Sequence, residues 1–437
     1  MESLLKSKKI KIGDKVSVEK GKSRYTGILM PRIGLGDTSS LVIKLANGYN
    51  IGIKYEKDVK VKLVEKGRPV RFKPSEVTIR KDPSKPTVSI LGCGGTIASR
   101  IEYRTGAVSP AFSPGDLLQS FPELKAIANI KGRKLFDLFS ENMTPEHWRI
   151  IAAEVVKEIN SGVDGIVLMH GTDTLHYTSA ALSFMLKDLP VPVVLVGAQR
   201  SSDRGSSDNL VNLVCATLAA AKSDIAEVTV CMHGSASDEF CYLHQGTKVR
   251  KLHTSSRDAF KSVNAQPLAK ITYPDKKIEL LRTDYRKRDG KKIKLEENLN
   301  SNVALVYVYP GIKPGFIDSL RSYDGVVVAV TGLGHVPTNA GGDKYTQSLI
   351  PSLKNLIDSG IPVVIAPQTI HGRLNLEIYE AGRILEQTGV IGNYADWTPE
   401  TALVKLMWVL GQTKDMKKIR EMMMTNYAGE ISPRSVI

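Results

Sequence analysis

One run constrains the fold of this chain more than any other: Val88-Ser89-Ile90-Leu91-Gly92-Cys93-Gly94-Gly95-Thr96-Ile97-Ala98-Ser99-Arg100. Val88, Ile90 and Leu91 favour a buried β-strand. Gly92, Gly94 and Gly95 let the backbone turn sharply and let a substrate come close to it. Thr96 then falls at the carboxyl end of the strand, where open α/β sheets place their ligands. Taken alone, the run also fits an ordinary first strand and loop of an α/β domain.

A second run narrows the choice. Gly165-Ile166-Val167-Leu168-Met169 is another apolar strand, and His170-Gly171-Thr172-Asp173-Thr174 follows it. Together, Gly94-Gly95-Thr96-Ile97-Ala98 and His170-Gly171-Thr172-Asp173-Thr174 resemble the two signatures of the bacterial-type L-asparaginase family. The resemblance covers roughly residues 86–437.

The patterning supports the architecture that this resemblance implies. Residues 145–159 have helical period, residues 191–198 and 228–232 read as buried strands, and residues 207–221 read as a helix. A second α/β unit opens at residues 303–308 and continues with strands at 325–330 and 362–366. Its helix at 400–410 starts from Thr398-Pro399. Such alternation predicts parallel sheets covered by helices. The expected fold is an asparaginase-like two-domain α/β core with parallel sheets, its domains spanning residues 86–285 and 303–437.

Residues 1–80 look different. Short alternating segments at 12–18, 25–31, 41–45 and 49–53 read as strands, with Asn47-Gly48 as a hairpin signal. They predict a small SH3-like β-barrel, a module that more often binds a partner or RNA than performs chemistry. The proline-bearing residues 75–86 read as a linker. Residues 284–300, with Arg286-Lys287-Arg288-Asp289-Gly290-Lys291-Lys292, read as a solvated connector, with contact to a polyanion as the alternative.

Composition sets outer bounds. With 437 residues, 42% of them hydrophobic, the chain can bury a sizeable core. No apolar run is long enough for a membrane span, and the lysine-rich start lacks the apolar region of a signal peptide. Cys93, Cys215, Cys231 and Cys241 show no CxxC spacing, so buried thiols in a cytoplasmic protein are expected. The net charge of +15 suits either a polyanionic partner such as RNA or a well-solvated lysine-rich surface. No P-loop is present, so no ATP site is expected on this chain.

Amide hydrolysis needs a nucleophile, a base and an oxyanion site. The resemblance implies that Thr96 attacks the side-chain amide and that Tyr103, on a loop hinged near Gly106, assists and closes over the substrate. It also implies that Thr172 and Asp173 work with a lysine placed ahead of an aromatic residue. Lys251-Leu252-His253-Thr254, followed by Phe260, fits that pattern, and Lys248 fits it less well. Backbone N–H groups near Thr96 and Thr172 would form the oxyanion site, and Gly95 would belong to the substrate-binding residues. Ser140-Glu141 corresponds to the segment that holds the substrate's α-carboxylate and α-amine. Glu141 stands where the family has glutamine, and Asp173 is the second ammonium partner. His170 reads as structural. His233, His244 and His253 lack compact metal-ligand spacing, so no metal site is expected.

Three features separate the chain from a plain asparaginase: the barrel, the charge, and Gly197-Ala198-Gln199-Arg200-Ser201-Ser202-Asp203-Arg204-Gly205-Ser206-Ser207-Asp208. With Thr247-Lys248-Val249-Arg250-Lys251-Leu252-His253-Thr254-Ser255 they resemble the D subunits of archaeal glutamyl-tRNA(Gln) amidotransferases. That resemblance implies ammonia release from glutamine and a partner E subunit that binds ATP and Mg. It further implies tRNA(Gln) engaged through the complex, and a homodimer of this chain. A free-standing cytoplasmic L-asparaginase with an accessory barrel is the alternative, and an idle RNA-binding scaffold is a third reading.

Overall fold

The computed structural model describes residues 2–30, 39–46, 50–56, 58–67, 82–95, 97, 99–101, 108–110, 118, 121–200 and 206–434. The N-terminal segment forms five strands, β1 (Lys15–Lys20), β2 (Ser23–Leu29), β3 (Ser40–Leu45), β4 (Asn50–Lys54) and β5 (Lys60–Glu65). They make one antiparallel sheet in the order β4-β3-β2-β1-β5. Val16, Val18, Leu41, Ile43 and Val61 fill its inner face and are almost wholly buried. The expected β3–β4 hairpin is present, with Lys44 opposite Asn50, while its Asn47-Gly48 turn lies outside the described residues. β1 begins at Lys15 rather than residue 12 because Gly13 takes a positive φ of 90° and Asp14 caps the turn through the Lys11 N–H. β5 escapes the sequence reading because Lys60-Val61-Lys62-Leu63-Val64-Glu65 buries only Val61.

The first α/β unit contains β6 (Thr87–Gly92), β7 (Asn129–Lys134), β8 (Gly165–Met169), β9 (Val193–Val196), β10 (Val228–His233), β11 (Phe240–Gln245), the short pair β12 (Val249–Lys251) and β13 (Phe260–Ser262), β14 (Ala269–Thr272) and β15 (Lys277–Leu280). Eight of these form a sheet in the order β15-β14-β11-β10-β9-β8-β6-β7. The five strands from β10 to β7 are parallel; four of them match the alternating pattern, and β7, an edge strand that buries only Ile130, adds a fifth. β11, β14 and β15 extend the sheet antiparallel, a turn of topology that short half-buried strands do not announce in sequence.

Helices cover both faces. α1 (Pro145–Asn160) and α2 (Leu175–Met185) lie on one, α3 (Asn209–Lys222) on the other. α1 starts from a capping box between Thr144 and His147, followed by Pro145 at the first turn. The second unit is a parallel sheet of β16 (Val303–Tyr307), β17 (Gly325–Val330) and β18 (Val363–Pro367). Its helix α4 (Pro399–Gln412) is capped by Thr398, whose hydroxyl accepts the Thr401 N–H at 3.2 Å. α4 packs on α2, with the Phe184 and Trp408 rings stacked at 5.7 Å, so one apolar core runs through both units.

The charged connector at 284–300 is strapped to the body. Arg288 donates to the Ser223 and Ala220 carbonyls at 2.7 and 2.8 Å, satisfying acceptors at the C-terminal end of α3. Arg286 pairs with Asp188 and Asp289. No helix among the described residues is long and apolar enough to cross a membrane.

Candidate active site

The two glycine-threonine loops leave neighbouring parallel strands. Gly92 of β6 lies opposite Met169 of β8, and the Cys93 N–H donates to the Met169 carbonyl at 2.8 Å. Gly95 has a φ of +83°, and a Cβ there would lie 2.4 Å from the Gly171 nitrogen. Gly171 in turn leaves no room for a side chain, because a Cβ would meet the Ser140 hydroxyl at 2.8 Å. Three segments far apart in sequence therefore meet backbone to backbone, and glycine is required at the contact. Thr96 and Tyr103 lie outside the described residues. Next to Thr96, Ile97 is buried and its carbonyl accepts from Asn209 Nδ2 at 3.0 Å.

Thr172, Asp173 and Lys251 come together as the resemblance implies. Lys251 Nζ donates to Thr172 Oγ1 at 2.8 Å and to Asp173 Oδ1 at 2.7 Å. The Lys251 side chain is 9% exposed and that of Asp173 66%, so the pair joins a shielded ammonium to an open carboxylate. The role of Phe260 is now physical. It is buried directly opposite Lys251 across the β12–β13 pair and fixes the lysine's register.

Lys248 is a different kind of lysine. It is fully buried and pairs with buried Asp396 at 2.9 Å. Arg250 pairs with buried Glu400, at the start of α4, at 2.7 Å. Lys248 and Arg250 thus tie the lysine hairpin to the second unit, and Lys251 alone turns to Thr172.

Ser140 opens a short 3₁₀ turn, Ser140–Asn142, and is buried. Its hydroxyl accepts the Asp173 N–H at 3.2 Å, and its carbonyl accepts the Thr174 hydroxyl at 2.7 Å. In this state Ser140 orients the second motif. Glu141, its neighbour, is exposed. His170 is structural, as expected: its Nδ1–H donates to the Gly171 carbonyl at 2.6 Å, and Nε2 accepts from Thr178 Oγ1 at 2.9 Å. Burial pushes its pKa down to about 4 and keeps it neutral. His233, His244 and His253 bond to Asn212, to Ser262 and to the N–H groups of Ser255 and Ser256, three separate tasks.

Known proteins share this layout. The family model "Asparaginase, N-terminal" matches residues 87–286, "Glutaminase/Asparaginase C-terminal domain" matches 302–423, and "GatD N-terminal domain" matches 10–64. The D subunit of the glutamyl-tRNA(Gln) amidotransferase from Pyrococcus furiosus is 52% identical over 99% of this chain and 98% of its own. This chain belongs to the D-subunit family of glutamyl-tRNA(Gln) amidotransferases.

Within that family, the D subunit of Methanothermobacter thermautotrophicus is 49% identical over 99% of this chain and 97% of its own. Among solved structures, the thermostable L-asparaginase from Thermococcus kodakarensis superposes with a TM-score of 0.70 at 32% identity, covering 80% of this chain and 100% of that one. L-asparaginase I from Vibrio cholerae gives 0.68 at 28%, with coverages of 80% and 99%.

Sequence reasoning missed one group of residues that supports the family site. Asp208, at the start of α3, accepts the N–H groups of Gln199 and Arg200, both at 3.0 Å. Asn212, one turn on, donates to Asp208 Oδ2 at 3.1 Å and to the Gly197 carbonyl at 3.0 Å. Asn212 Oδ1 accepts His233 Nδ1–H at 2.5 Å, and His233 Nε2 faces Asp238, which also holds Arg257 beside the lysine hairpin. The signal in the sequence was Asp208, Asn209 and Asn212 at the start of an otherwise largely apolar helix.

Proposed function

We propose that this chain is the ammonia-releasing subunit of a tRNA-dependent amidotransferase, taking the side-chain amide of glutamine. Its E-type partner uses ATP and Mg to amidate Glu-tRNA(Gln), and this chain itself needs no cofactor. The observation that carries the chemical reading is the Lys251 Nζ shared between Thr172 Oγ1 and Asp173 Oδ1 at 2.8 and 2.7 Å. It stands beside the loop that contains Thr96.

In this reading the Thr96 hydroxyl attacks the amide carbon, with Tyr103 assisting, and backbone N–H groups around Gly95 and Thr172 stabilise the oxyanion. The amide nitrogen leaves as ammonia, and an acyl ester stays on Thr96. Water held by Thr172 then adds to the acyl carbon, its proton passing through the Thr172 hydroxyl to Lys251 in its amine form, and Lys251 returns that proton to the Thr96 oxygen as the ester bond breaks. Glutamate departs and the Thr96 hydroxyl is restored. Asp173 and Glu141 receive the substrate ammonium, and Ser140 with the nearby backbone receives the carboxylate.

The chain works in the cytoplasm as a homodimer bound to its partner. Glutamine is one methylene longer than asparagine, a difference of only about 1–3 kcal/mol in a pocket, so partner control matters more than pocket size. The test is ammonia release from glutamine by the chain alone, then with the E-type subunit and Glu-tRNA(Gln). Stimulation by both supports the reading. Full activity alone, with asparagine preferred, replaces it with a free-standing asparaginase.

A further inference from the structure

The basic charge of this protein is not spread evenly along its sequence. Residues 1–86 hold 21 of the 60 Lys and Arg and 9 of the 45 Asp and Glu, so one fifth of the chain carries +12 of the net +15. The remaining 351 residues carry only +3. A lysine-rich surface kept for solvation or heat tolerance would be basic on the catalytic body as well, and that body is nearly balanced. In its one conspicuous basic run the two arginines are already engaged, Arg286 on carboxylates and Arg288 on backbone carbonyls.

The register of the N-terminal sheet concentrates this charge further. Across β2, β1 and β5, Arg24, Glu19 and Lys60 lie side by side, and Thr26, Ser17 and Lys62 form the next row. These six positions share the outer face, since Val16, Val18 and Val61 point into the core. Arg24 lies across Ser17, Nε to Oγ at 3.0 Å, and both Arg24 and Lys62 lean on the single carboxylate Glu19, at 3.7 and 3.9 Å. The pattern repeats beside it, where Lys20 and Lys54 share Glu56. Cations therefore outnumber their carboxylates on this face, and Lys22 adds another in the turn between β1 and β2.

We infer that this outer face of the N-terminal domain binds the phosphate backbone of a structured RNA, which on the proposed function is the tRNA of the amidotransferase reaction. The accessible side chains of this face are the cations Arg24, Lys60 and Lys62, the Thr26 hydroxyl and the one carboxylate Glu19, with Ser17 buried beneath Arg24 and no apolar side chain among the six positions. Phosphate contacts need only cations and hydroxyls. A stable protein partner would need a buried apolar or aromatic anchor. The contact is sequence-independent: it adds affinity and orientation and leaves identity to other elements of the complex.

The test uses the full chain, with tRNA(Gln) and an unrelated tRNA as probes, titrated across a series of salt concentrations. The variant is Arg24→Gln, Lys60→Gln, Lys62→Gln. The control is Lys414→Gln, Lys417→Gln, Lys418→Gln, which removes the same charge from exposed positions on the catalytic body. The barrel variant should weaken binding of both tRNAs at least tenfold at 0.1 M salt, and the slope of log affinity against log salt should fall by about 2. The control should stay within about twofold of wild type. Equal tRNA binding by the barrel variant and wild type overturns the inference. So does a barrel variant that keeps tRNA binding and loses the E-type subunit, because the face then docks a protein. Glutamine hydrolysis by the chain alone should be unchanged in both variants. Absence of tRNA stimulation in the wild-type complex would sink the amidotransferase reading, while the direct binding measurement would still decide the barrel.

Discussion

Lys248 and Lys251 are three residues apart and should fail in opposite ways when replaced by methionine. Lys251→Met removes two charge-assisted donations, to Thr172 Oγ1 and Asp173 Oδ1. Asp173 is largely solvated, so its exposed pairing is worth about 0–1 kcal/mol. The lost hydrogen bond to Thr172 adds roughly 0.5–1.5 kcal/mol. Stability should therefore fall by at most about 2 kcal/mol. Proton transfer is another matter: losing a positioned acid–base group costs about 10²–10⁴ in rate.

Lys248→Met does the reverse. It strands the Asp396 carboxylate in a site with no exposure, and breaking one side of a buried pair costs about 3–5 kcal/mol. Differential scanning calorimetry and steady-state ammonia release, run on both variants, read the two axes separately. A Lys251→Met enzyme within about threefold of wild-type kcat removes the lysine from the chemistry. A Lys248→Met protein as stable as wild type means that the buried pair does not hold the hairpin.

Other expectations follow from the same geometry. Gly95→Ala places a methyl group against the Gly171 backbone at a positive φ, so kcat should fall at least tenfold while circular dichroism shows the sheet intact. Burial lowers the pKa of His170 and His176 to about 4 and of His244 to about 3, below the unfolded value near 6.5. Between those limits the unfolded chain binds more protons, so stability is full above about pH 6.5 and drains as the pH falls toward 4. In urea titrations His244→Gln should flatten that slope. Asn212→Leu leaves Asp208, the Gly197 carbonyl and His233 each short of a partner, and should cost on the order of 3 kcal/mol or more by the same assay.

What the sequence revealed and what it concealed divide along physical lines. Thr172 and Asp173 were visible because the run His170-Gly171-Thr172-Asp173-Thr174 after an apolar strand resembles a family signature. Lys251 was visible through its distance from Phe260, which proved to be a cross-strand pairing. The parallel strands β6, β8, β9 and β10 were legible because they are buried on both faces and read as apolar runs, whereas β7, which buries only Ile130, was not. β5 was not either, since it buries only Val61, and the antiparallel direction of β11, β14 and β15 is set by the connections between them rather than by any pattern within the strands. Ser140 and Lys248 carried the right residue types, and only the fold could show that one orients Asp173 and the other anchors a hairpin.

The polar group on α3 explains how so scattered a site is held. Thr172 and Lys251 are 79 positions apart, and the loop before Thr96 is as distant again, so no local element can set their spacing. Apolar packing aligns sheets and helices without fixing loops to within a few tenths of an ångström. Directed hydrogen bonds do fix them, and α3 supplies these from consecutive turns: Asn209 holds the Ile97 carbonyl, Asp208 holds Gln199 and Arg200, and Asn212 holds Gly197 and His233. Through Asp238 and Arg257 the chain of contacts reaches the hairpin that presents Lys251. Such a network stabilises less than an apolar core of equal volume, because each polar group loses water on burial. Its persistence in the centre of the molecule makes sense only if loop position, rather than stability, is what α3 must secure.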